Sequence, residues 1–264
     1  MRKKVGLALG AGAMRGLAHI GVLQVFEEYD IPIDVVTGSS MGALIGALYC
    51  CGITPQMMEK LCLSLDETSF IDPKMPKRGF LRGDKAQAII RTLTQNKQFS
   101  QVTTPLGVVA CDLTHSTPVY FTQGSIHQAV RASIAIPGIF EPVLWGDALL
   151  VDGSVQIKVP TEFARNMGAD VVIGVDVGYN GTYREIPKNI LGIIMQSMEL
   201  MEWETSKHRT ISADMLLTPD TNGINPFALT DAEKCIEQGR ICAKAAMPQI
   251  LQMLGSIPDD DGIG

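Results

Sequence analysis

A serine flanked by two glycines is the group in this sequence best suited to nucleophilic chemistry. Ser40 follows the apolar pair Val35-Val36 and has the spacing Gly38-x-Ser40-x-Gly42. A nucleophilic serine at a sharp turn from a buried strand into a helix needs small neighbours at both positions, because the main chain is crowded there. The following helix also directs free N–H groups and its positive end at whatever the serine attacks. Since glycine and serine are also common turn residues, the motif alone does not decide between catalysis and a simple turn.

A second glycine-rich stretch follows the first apolar run, Val5–Leu9. N–H groups at the start of a helix, beside small residues, can hold either an oxyanion or a phosphate. A dinucleotide site needs the spacing Gly-x-Gly-x-x-Gly and an acid at the end of the second strand. Gly10, Gly12 and Gly16 have a different spacing, and Asp34 lies at the beginning of that strand. The stretch therefore favours an oxyanion hole.

A serine nucleophile needs a base, and the residues alone leave several candidates. Asp152 follows an apolar run and precedes a glycine, and Asp112 and Asp176 also lie near the ends of apolar runs. A carboxylate is a weak base unless burial raises its pKa, which apolar surroundings would do. His208 could complete a Ser-Asp-His triad, but it lies in a polar helix end, where a solvated side chain is the simpler interpretation. The choice among these bases stays open at this point.

Alternating strands and helices must position these groups. This pattern predicts an α/β fold with three layers, in which helices cover both faces of a mostly parallel sheet. The carboxyl ends of parallel strands share one edge, so the glycine-rich stretch, Ser40 and Asp152 can meet there. The predicted strands are 5–9, 34–37, 106–111, 118–122, 148–151, 170–177 and 215–217. The predicted helices are 17–29, 41–51, 84–95, 126–133, 160–168, 188–208 and 230–254, with another beginning at 54–55.

The irregular segments and the length complete the predicted organisation. We expect a surface excursion over 66–83, an apolar loop over 134–142 and a disordered tail over 255–264. Without repeats or a long linker, the 264 residues are expected to form a single domain over 1–264.

Composition and charge narrow the function classes. The chain is 46% apolar and 19% charged, with a formal net charge of -6, so no basic face is expected for nucleic acid. No apolar run reaches membrane-spanning length, and the N-terminus has no apolar signal core, which predicts a cytoplasmic protein. The six cysteines form no Cys-x-x-Cys pair and no His stands at a zinc-ligand spacing from them, so reduced thiols and no metal or cofactor are expected.

From about Val5 to Asp176 the chain resembles the patatin-like phospholipase family, in particular its small bacterial single-domain members. Four motifs occur in the family's order. They are the glycine-rich turn with Arg15-Gly16, the Gly38-x-Ser40-x-Gly42 turn, the loop from Ser133 to Pro142, and Asp152-Gly153. Each motif is weak alone, but together, in this order and after predicted strands, they are specific.

The resemblance implies a Ser-Asp dyad with no histidine, formed by Ser40 and Asp152. It also implies an oxyanion hole at Gly10, Gly12 and Ala13, while Arg15 orients the glycine loop or meets an anionic head group. Gly16, Gly38, Gly42 and Gly153 support these residues. The sequence departs from the family at Ala11, Ala13 and Ser154, where glycine or another small residue is usual. Main-chain donors survive these changes.

The sequence thus predicts a serine acyl-ester hydrolase that acts through an acyl-enzyme on phospholipid, lysophospholipid or other fatty acyl esters. A non-catalytic regulator on the same fold, which binds lipid or protein, and a transacylase are the alternatives. Lipid or another acyl ester is the expected partner, and peripheral membrane contact and a homo-oligomer stay open. Met198, Met201 and Trp203, at helical spacing, are expected to lie in the core rather than to touch lipid.

Overall fold

The predicted strands form one mixed sheet in the computed structural model, which describes residues 2–64, 72, 79–181, 186–187, 189–208, 212–226 and 229–255. The strands are β1 (Val5–Leu9), β2 (Val35–Ser39), β3 (Gly79–Leu81), β4 (Leu106–Asp112), β5 (Thr117–Phe121), β6 (Gly138–Phe140), β7 (Val143–Trp145), β8 (Ala148–Asp152), β9 (Val171–Val175) and β10 (Met215–Leu217). The helices are α1 (Ala18–Glu28), α2 (Met41–Cys50), α3 (Pro55–Ser64), α4 (Asp84–Leu93), α5 (Ile126–Ser133), α6 (Thr161–Asn166), α7 (Ile190–His208) and α8 (Ala232–Leu254).

The order of strands brings the candidate site to one edge of the sheet. In the described part of the chain the order is β10-β9-β1-β2-β4-β8-β7, and β5 pairs with β4 as well. The strands from β10 to β4 run parallel, whereas β5, β7 and β8 pair in antiparallel fashion. Because β1 and β2 are parallel neighbours, the segments that follow them, Gly10 and Ser40, leave the sheet at the same edge. This confirms the predicted α/β fold with a mostly parallel sheet.

Alternation along β1 shows how the sheet separates two helical layers. Leu7 and Leu9 belong to the main core, which the buried residues of α1, α2, α5 and α8 share. Ala8 points to the opposite face, where it packs with Ala164 and Ala169 around α6. The residues on this second face are small, so α6 can approach β1 closely, whereas larger side chains fill the other face. The three predicted layers are therefore present.

The predicted loop over 134–142 is partly wrong, because it contains a strand. β6 pairs in parallel with β3, with Gly79 opposite Gly138 and Leu81 opposite Phe140, and β7 then pairs with β8. Strands of three residues are too short to show an alternating pattern, so their partners rather than their own sequence define them. Most of the predicted excursion over 66–83, and residues 256–264 of the predicted tail, lie outside the described residues.

Helix α7 differs from the other long helices because part of its apolar surface faces outward. Met201 is 61% exposed, so the prediction that it lies in the core is wrong. Trp203 packs edge-on against Tyr179, with ring centroids 5.5 Å apart. Ile190, Ile193, Ile194 and Leu200 are exposed as well. Among the residues that the structure describes, no helix combines the length and apolarity that a membrane crossing requires.

Candidate active site

Ser40 lies at a sharp turn between β2 and α2. Its φ of +53° falls in the left-handed region, which a residue with a side chain rarely adopts. A side chain at Gly38 would place its Cβ 2.5 Å from the Ala43 nitrogen, and one at Gly42 would meet the Leu9 carbonyl. The two glycines of the motif are therefore required by close main-chain contacts on either side of Ser40. The turn buries the serine, which is only 4% exposed.

Asp152 meets Ser40 because β8 pairs with β4 beyond the end of β2. The Ser40 hydroxyl donates a hydrogen bond to Asp152 Oδ2 at 2.5 Å, and Asp152 Oδ1 accepts the Ser154 N–H at 2.9 Å. Gly153 passes so close to β2 that an added Cβ would lie 2.7 Å from Ser39 Oγ. The arrangement therefore holds a serine hydroxyl and a carboxylate in direct contact.

Burial changes the acidity of this carboxylate. Asp152 is only 1% exposed, and the loss of solvation raises its pKa from 3.8 to about 6, although the hydrogen bonds from Ser40 and Ser154 act in the opposite direction. A carboxyl group with a pKa near 6 is a stronger base than an exposed aspartate and is still mostly ionised at neutral pH. Asp152 can therefore accept the proton of the Ser40 hydroxyl.

The glycine-rich loop turns over the same edge of the sheet beside Ser40. The Gly10 N–H donates a hydrogen bond to the Val175 carbonyl at 2.9 Å, and the Met14 N–H donates one to the Pro226 carbonyl at 3.1 Å. Gly10 is therefore not available as an oxyanion donor, which corrects the expectation from the sequence. Within the described residues, no hydrogen bond uses the N–H groups of Gly12 and Ala13. Ala13 and Ser40 line the same cavity, so these two N–H groups are candidate donors near Ser40.

Arg15 and Gly16 tie this loop to neighbouring elements. Arg15 is 5% exposed, and its guanidinium forms a buried ion pair with Glu199 of α7. Its Nε also donates to the Gly12 carbonyl at 3.4 Å. Of the two roles expected for Arg15, its burial favours orienting the loop over meeting a head group. Gly16 lies against Met41, where an added Cβ would come within 2.6 Å of the Met41 Cβ.

An apolar cavity of about 360 Å³ begins at Ser40. It lies between α2, α3, α4 and the segment around β6, and almost all of its lining is aliphatic. Besides Ser40 and Ala13, the lining residues from these elements include Met41, Leu44, Leu48, Met58, Leu61, Ile89, Ile90, Leu93, Ile134, Ile136, Ile139 and Phe140. A cavity with this lining suits a flexible apolar chain whose reactive end lies at the serine.

The rival bases have other partners. Asp112 Oδ2 is 2.6 Å from Nδ1 of His115, and Asp176 forms a buried ion pair with Lys158 at 2.9 Å. His208 ends α7, and its side chain lies outside the described part of the structure. Of the three aspartates left open by the residues alone, Asp152 is the one that contacts Ser40.

One side chain that contacts Ser40 was not singled out from the sequence. Ser133, the last residue of α5, accepts the Ser40 N–H on its hydroxyl oxygen at 2.9 Å. Two residues later, the Ala135 carbonyl accepts the Asp152 N–H at 3.0 Å. The signal was present, because Ser133 begins one of the four motifs that carry the family resemblance, but the motif did not indicate which atoms it contacts.

Fold and site together define an α/β protein with a serine at a strand-to-helix turn, bonded to a buried aspartate at the head of an apolar cavity. The sequence model of the patatin-like phospholipase family matches residues 7–165. The chain belongs to this family. The match ends before β9, β10, α7 and α8, although β9 and β10 complete the same sheet.

Individual relatives agree with this assignment. An uncharacterized NTE family protein of Mycobacterium tuberculosis is 33% identical over 191 residues, which cover 71% of this chain and 53% of the relative. Human patatin-like phospholipase domain-containing protein 6 is 35% identical over 184 residues, which cover 66% of this chain and 13% of the relative. The chain thus spans about half of the mycobacterial protein and a small part of the human one.

The solved structure of VipD from Legionella pneumophila shares the fold. Its TM-score is 0.62 at 14% sequence identity, with 94% of this chain and 67% of VipD covered. At that identity, the likeness supports the architecture alone.

Proposed function

We propose that this chain is a serine hydrolase of fatty acyl esters, with Ser40 as nucleophile and Asp152 as general base. The observation that carries the proposal is the 2.5 Å hydrogen bond from Ser40 Oγ to Asp152, at the head of an apolar cavity. Nucleophile and base in direct contact are the minimum that acyl transfer to a serine requires. Membership of the patatin-like phospholipase family supports the same chemistry.

In the first half of the reaction, the ester carbonyl lies beside Ser40 with its acyl chain in the cavity. Asp152 accepts the hydroxyl proton while Ser40 Oγ forms a bond to the carbonyl carbon. The carbonyl oxygen takes up the negative charge, and the N–H groups of Gly12 and Ala13 can stabilise it. The bond to the alcohol then breaks, and the leaving oxygen takes the proton from Asp152. An acyl-enzyme on Ser40 results.

In the second half, water replaces the alcohol. Asp152 accepts a proton from water, the hydroxide oxygen bonds to the acyl carbon, and the same N–H groups stabilise the oxyanion. The bond to Ser40 Oγ breaks, and Asp152 returns its proton to the serine. The products are a fatty acid and the free enzyme, so each turnover consumes one water and restores both side chains.

The cavity supports an apolar acyl chain as the part of the substrate that is recognised. Phospholipids, lysophospholipids and other fatty acyl esters all supply such a chain, and the head group would remain outside the cavity. We include a single domain over 1–264 in the proposal, because β9, β10 and α8 extend the sheet and core beyond the matched range. A cytoplasmic location is included too, since six free cysteines suit a reducing compartment.

The test compares hydrolysis by the wild type, Ser40→Ala and Asp152→Asn. Each is assayed with a short-chain p-nitrophenyl ester and with a lysophospholipid, and circular dichroism checks that every variant folds. We expect both variants to lose at least about 1,000-fold in kcat, as nucleophile or base removal does in other serine hydrolases. Asp112→Asn is the control, because Asp112 also ends a strand and has a low exposure of 4% but contacts His115 instead of Ser40.

Product analysis separates hydrolysis from transfer. Release of free fatty acid supports the proposal, whereas an acyl group that appears only on an added alcohol or lysophospholipid supports the transacylase. Full turnover by Ser40→Ala would contradict both. A wild type that folds but neither hydrolyses nor transfers acyl groups would favour a regulator.

A further inference from the structure

The last residue of α5 contacts the main chain of the nucleophile. Ser133 is fully buried, and its hydroxyl oxygen accepts the Ser40 N–H at 2.9 Å. The same short segment reaches the other member of the pair, since the Ala135 carbonyl accepts the Asp152 N–H at 3.0 Å. Two residues of one three-residue segment, Ser133 and Ala135, therefore bond to the main chain of Ser40 and of Asp152, respectively.

The main chain of Ser40 needs such support because of its conformation. A non-glycine residue at φ +53° is strained and persists only where its surroundings hold it. The Leu44 N–H holds the Ser40 carbonyl at 3.1 Å, through the first turn of α2, and Ser133 holds the Ser40 N–H. Without an acceptor from residue 133, a buried N–H would lose its partner at the strained residue itself.

The end of α5, which carries Ser133, is held in place by hydrogen bonds from Arg131. Arg131, two residues before the end of α5, is 4% exposed and donates to the carbonyls of Arg82 and Glu141, the latter at 2.8 Å. These carbonyls belong to the chain just after β3 and just after β6, so Arg131 joins both short strands to α5. Ile134 and Ile136, beside Ser133, line the apolar cavity. The end of α5 is thus fixed between the cavity wall and the nucleophile.

We propose that Ser133 is a positioning residue, whose hydroxyl oxygen holds Ser40 in the conformation that brings its Oγ to Asp152. The inference rests on the proposed function. Ser133 does not contact the reacting atoms and exchanges no proton in the reaction. Its loss should therefore slow the chemical step and leave substrate binding in the apolar cavity nearly unchanged. It should raise rather than lower the pKa of Asp152, because the hydrogen bond from Ser40 that lowers this pKa is weakened.

The experiment measures kcat, KM and the pH profile of Ser133→Ala, with Ser39→Ala as control. Ser39 is also fully buried and adjacent to Ser40, but its hydroxyl has no hydrogen-bond partner within the described residues. We expect Ser133→Ala to lose about 10- to 100-fold in kcat, the size of effect that small misplacements of reacting groups produce, with KM changed by less than about twofold. Ser133→Thr, which retains the acceptor, should recover most of the rate.

A second measurement does not depend on turnover or on the threonine being accommodated. Hydrogen exchange of the Ser40 amide, followed by NMR, should accelerate in Ser133→Ala and not in Ser39→Ala. Equal kcat for the wild type and Ser133→Ala, or equal losses in Ser133→Ala and Ser39→Ala, would overturn the inference while the proposed function stands. If the wild type itself has no activity and a fluorophosphonate does not label Ser40, the proposed function fails, and the inference fails with it.

Discussion

Among single residues, the proposed role of Asp152 as a base depends on the buried surroundings of its carboxylate, because these raise its pKa. An exposed aspartate has a pKa near 4 and would be a poor base. Burial raises the pKa of Asp152 to about 6. The hydrogen bond of 2.5 Å from Ser40 Oγ to Asp152 Oδ2 holds the carboxylate against the hydroxyl. No histidine is needed in such a pair, because the carboxylate reaches the hydroxyl directly.

The pH dependence of the rate should report this carboxylate. Asp152 must be ionised to accept the proton, so kcat/KM should be constant well above its pKa of about 6 and fall roughly tenfold per pH unit well below it. Hydrolysis of a p-nitrophenyl ester between about pH 4.5 and 8 measures the profile, read at an isosbestic wavelength. The Asp112→Asn control should keep the same profile. A midpoint near 4 would show that the base is an exposed carboxylate instead.

The same burial predicts that ionised Asp152 lowers the stability of the fold. Because its pKa is higher in the folded than in the unfolded state, the folded protein binds this proton more tightly, and stability falls as pH rises from about 4 to about 6. Well above pH 6, the buried, ionised carboxylate lowers the free energy of unfolding by roughly 3 kcal/mol. Asp152→Asn should therefore unfold at higher urea concentration than the wild type at pH 8, with a difference about half as large at pH 5. A less stable variant at pH 8 would contradict the buried, ionised state.

Sequence reasoning predicts the turn at Ser40 but not the contacts of this residue, for a physical reason. The strand, the turn and the two glycines around Ser40 are local, so their spacing is visible in the sequence. Asp152 reaches Ser40 only because β8 pairs with β4. Asp112 and Asp176 also lie near the ends of strands, so position along the sequence does not distinguish them from Asp152. The family resemblance, not the spacing, favoured Asp152. Ser133 acts through a hydroxyl on the main chain of a residue 93 positions away, which no local pattern reveals.

Among the helices, α7 is distinguished by an ion pair with the glycine-rich loop on its inner side and by exposed apolar residues on its outer side. Glu199 of this helix pairs with Arg15, which also contacts the Gly12 carbonyl of the glycine-rich loop. Glu202, one turn along the helix, is partly buried, and desolvation raises its pKa to about 8. The helix thus places one acidic side chain, Glu199, against an arginine of the loop that is proposed to hold the oxyanion.

The Arg15–Glu199 pair should therefore behave as a buried ion pair. Glu199→Leu leaves the Arg15 charge without this partner and should cost about 3 kcal/mol of unfolding free energy. The double variant Arg15→Met with Glu199→Leu should cost clearly less than the sum of the two single changes, since no charge is left buried. Urea unfolding of all four proteins in a double-mutant cycle measures the difference. Additive losses would show that the two side chains do not interact.

Elements with a continuous apolar run are predicted better than the short strands β3, β6 and β7, and the three-residue strand β10 is predicted because it is such a run. β1, β9 and α2 carry continuous apolar runs or a motif, and their predicted positions agree with the structure to within a few residues. β3, β6 and β7 have three residues each, and their pairing depends on segments far away in the chain. The exposed Met201 on α7 shows a further limit, because helical spacing of apolar residues does not reveal whether a partner covers them.

In the whole molecule, the sheet positions the groups proposed to react, and the helices form the cavity proposed to bind the acyl chain. The edge of the parallel sheet collects the glycine-rich loop, Ser40 and Asp152. Helices α2, α3 and α4 enclose the apolar cavity that begins there. Since α2 starts at the nucleophile and lines the cavity over successive turns, distance along this helix should measure the length of acyl chain accommodated.

Leu48 provides the test of that relation. It lines the cavity and lies eight residues beyond Ser40, or about 12 Å along α2. Leu48→Phe should reduce the cavity at this depth, so kcat/KM for long-chain p-nitrophenyl esters should fall about tenfold or more while the value for the acetate ester changes little. The acetate ester serves as the internal control for the integrity of the site. An equal effect on both esters would place the acyl chain elsewhere.

The proposed reaction carries an acyl group on Ser40, and trapping this intermediate is its most direct test. The wild type is mixed with a p-nitrophenyl ester, quenched in acid within milliseconds, digested and analysed by mass spectrometry. We expect the peptide containing Ser40 to gain the mass of the acyl group, and Ser40→Ala to form no adduct and to release no burst of p-nitrophenol. An adduct on another residue, or turnover that persists in Ser40→Ala, would contradict the role of Ser40 as nucleophile.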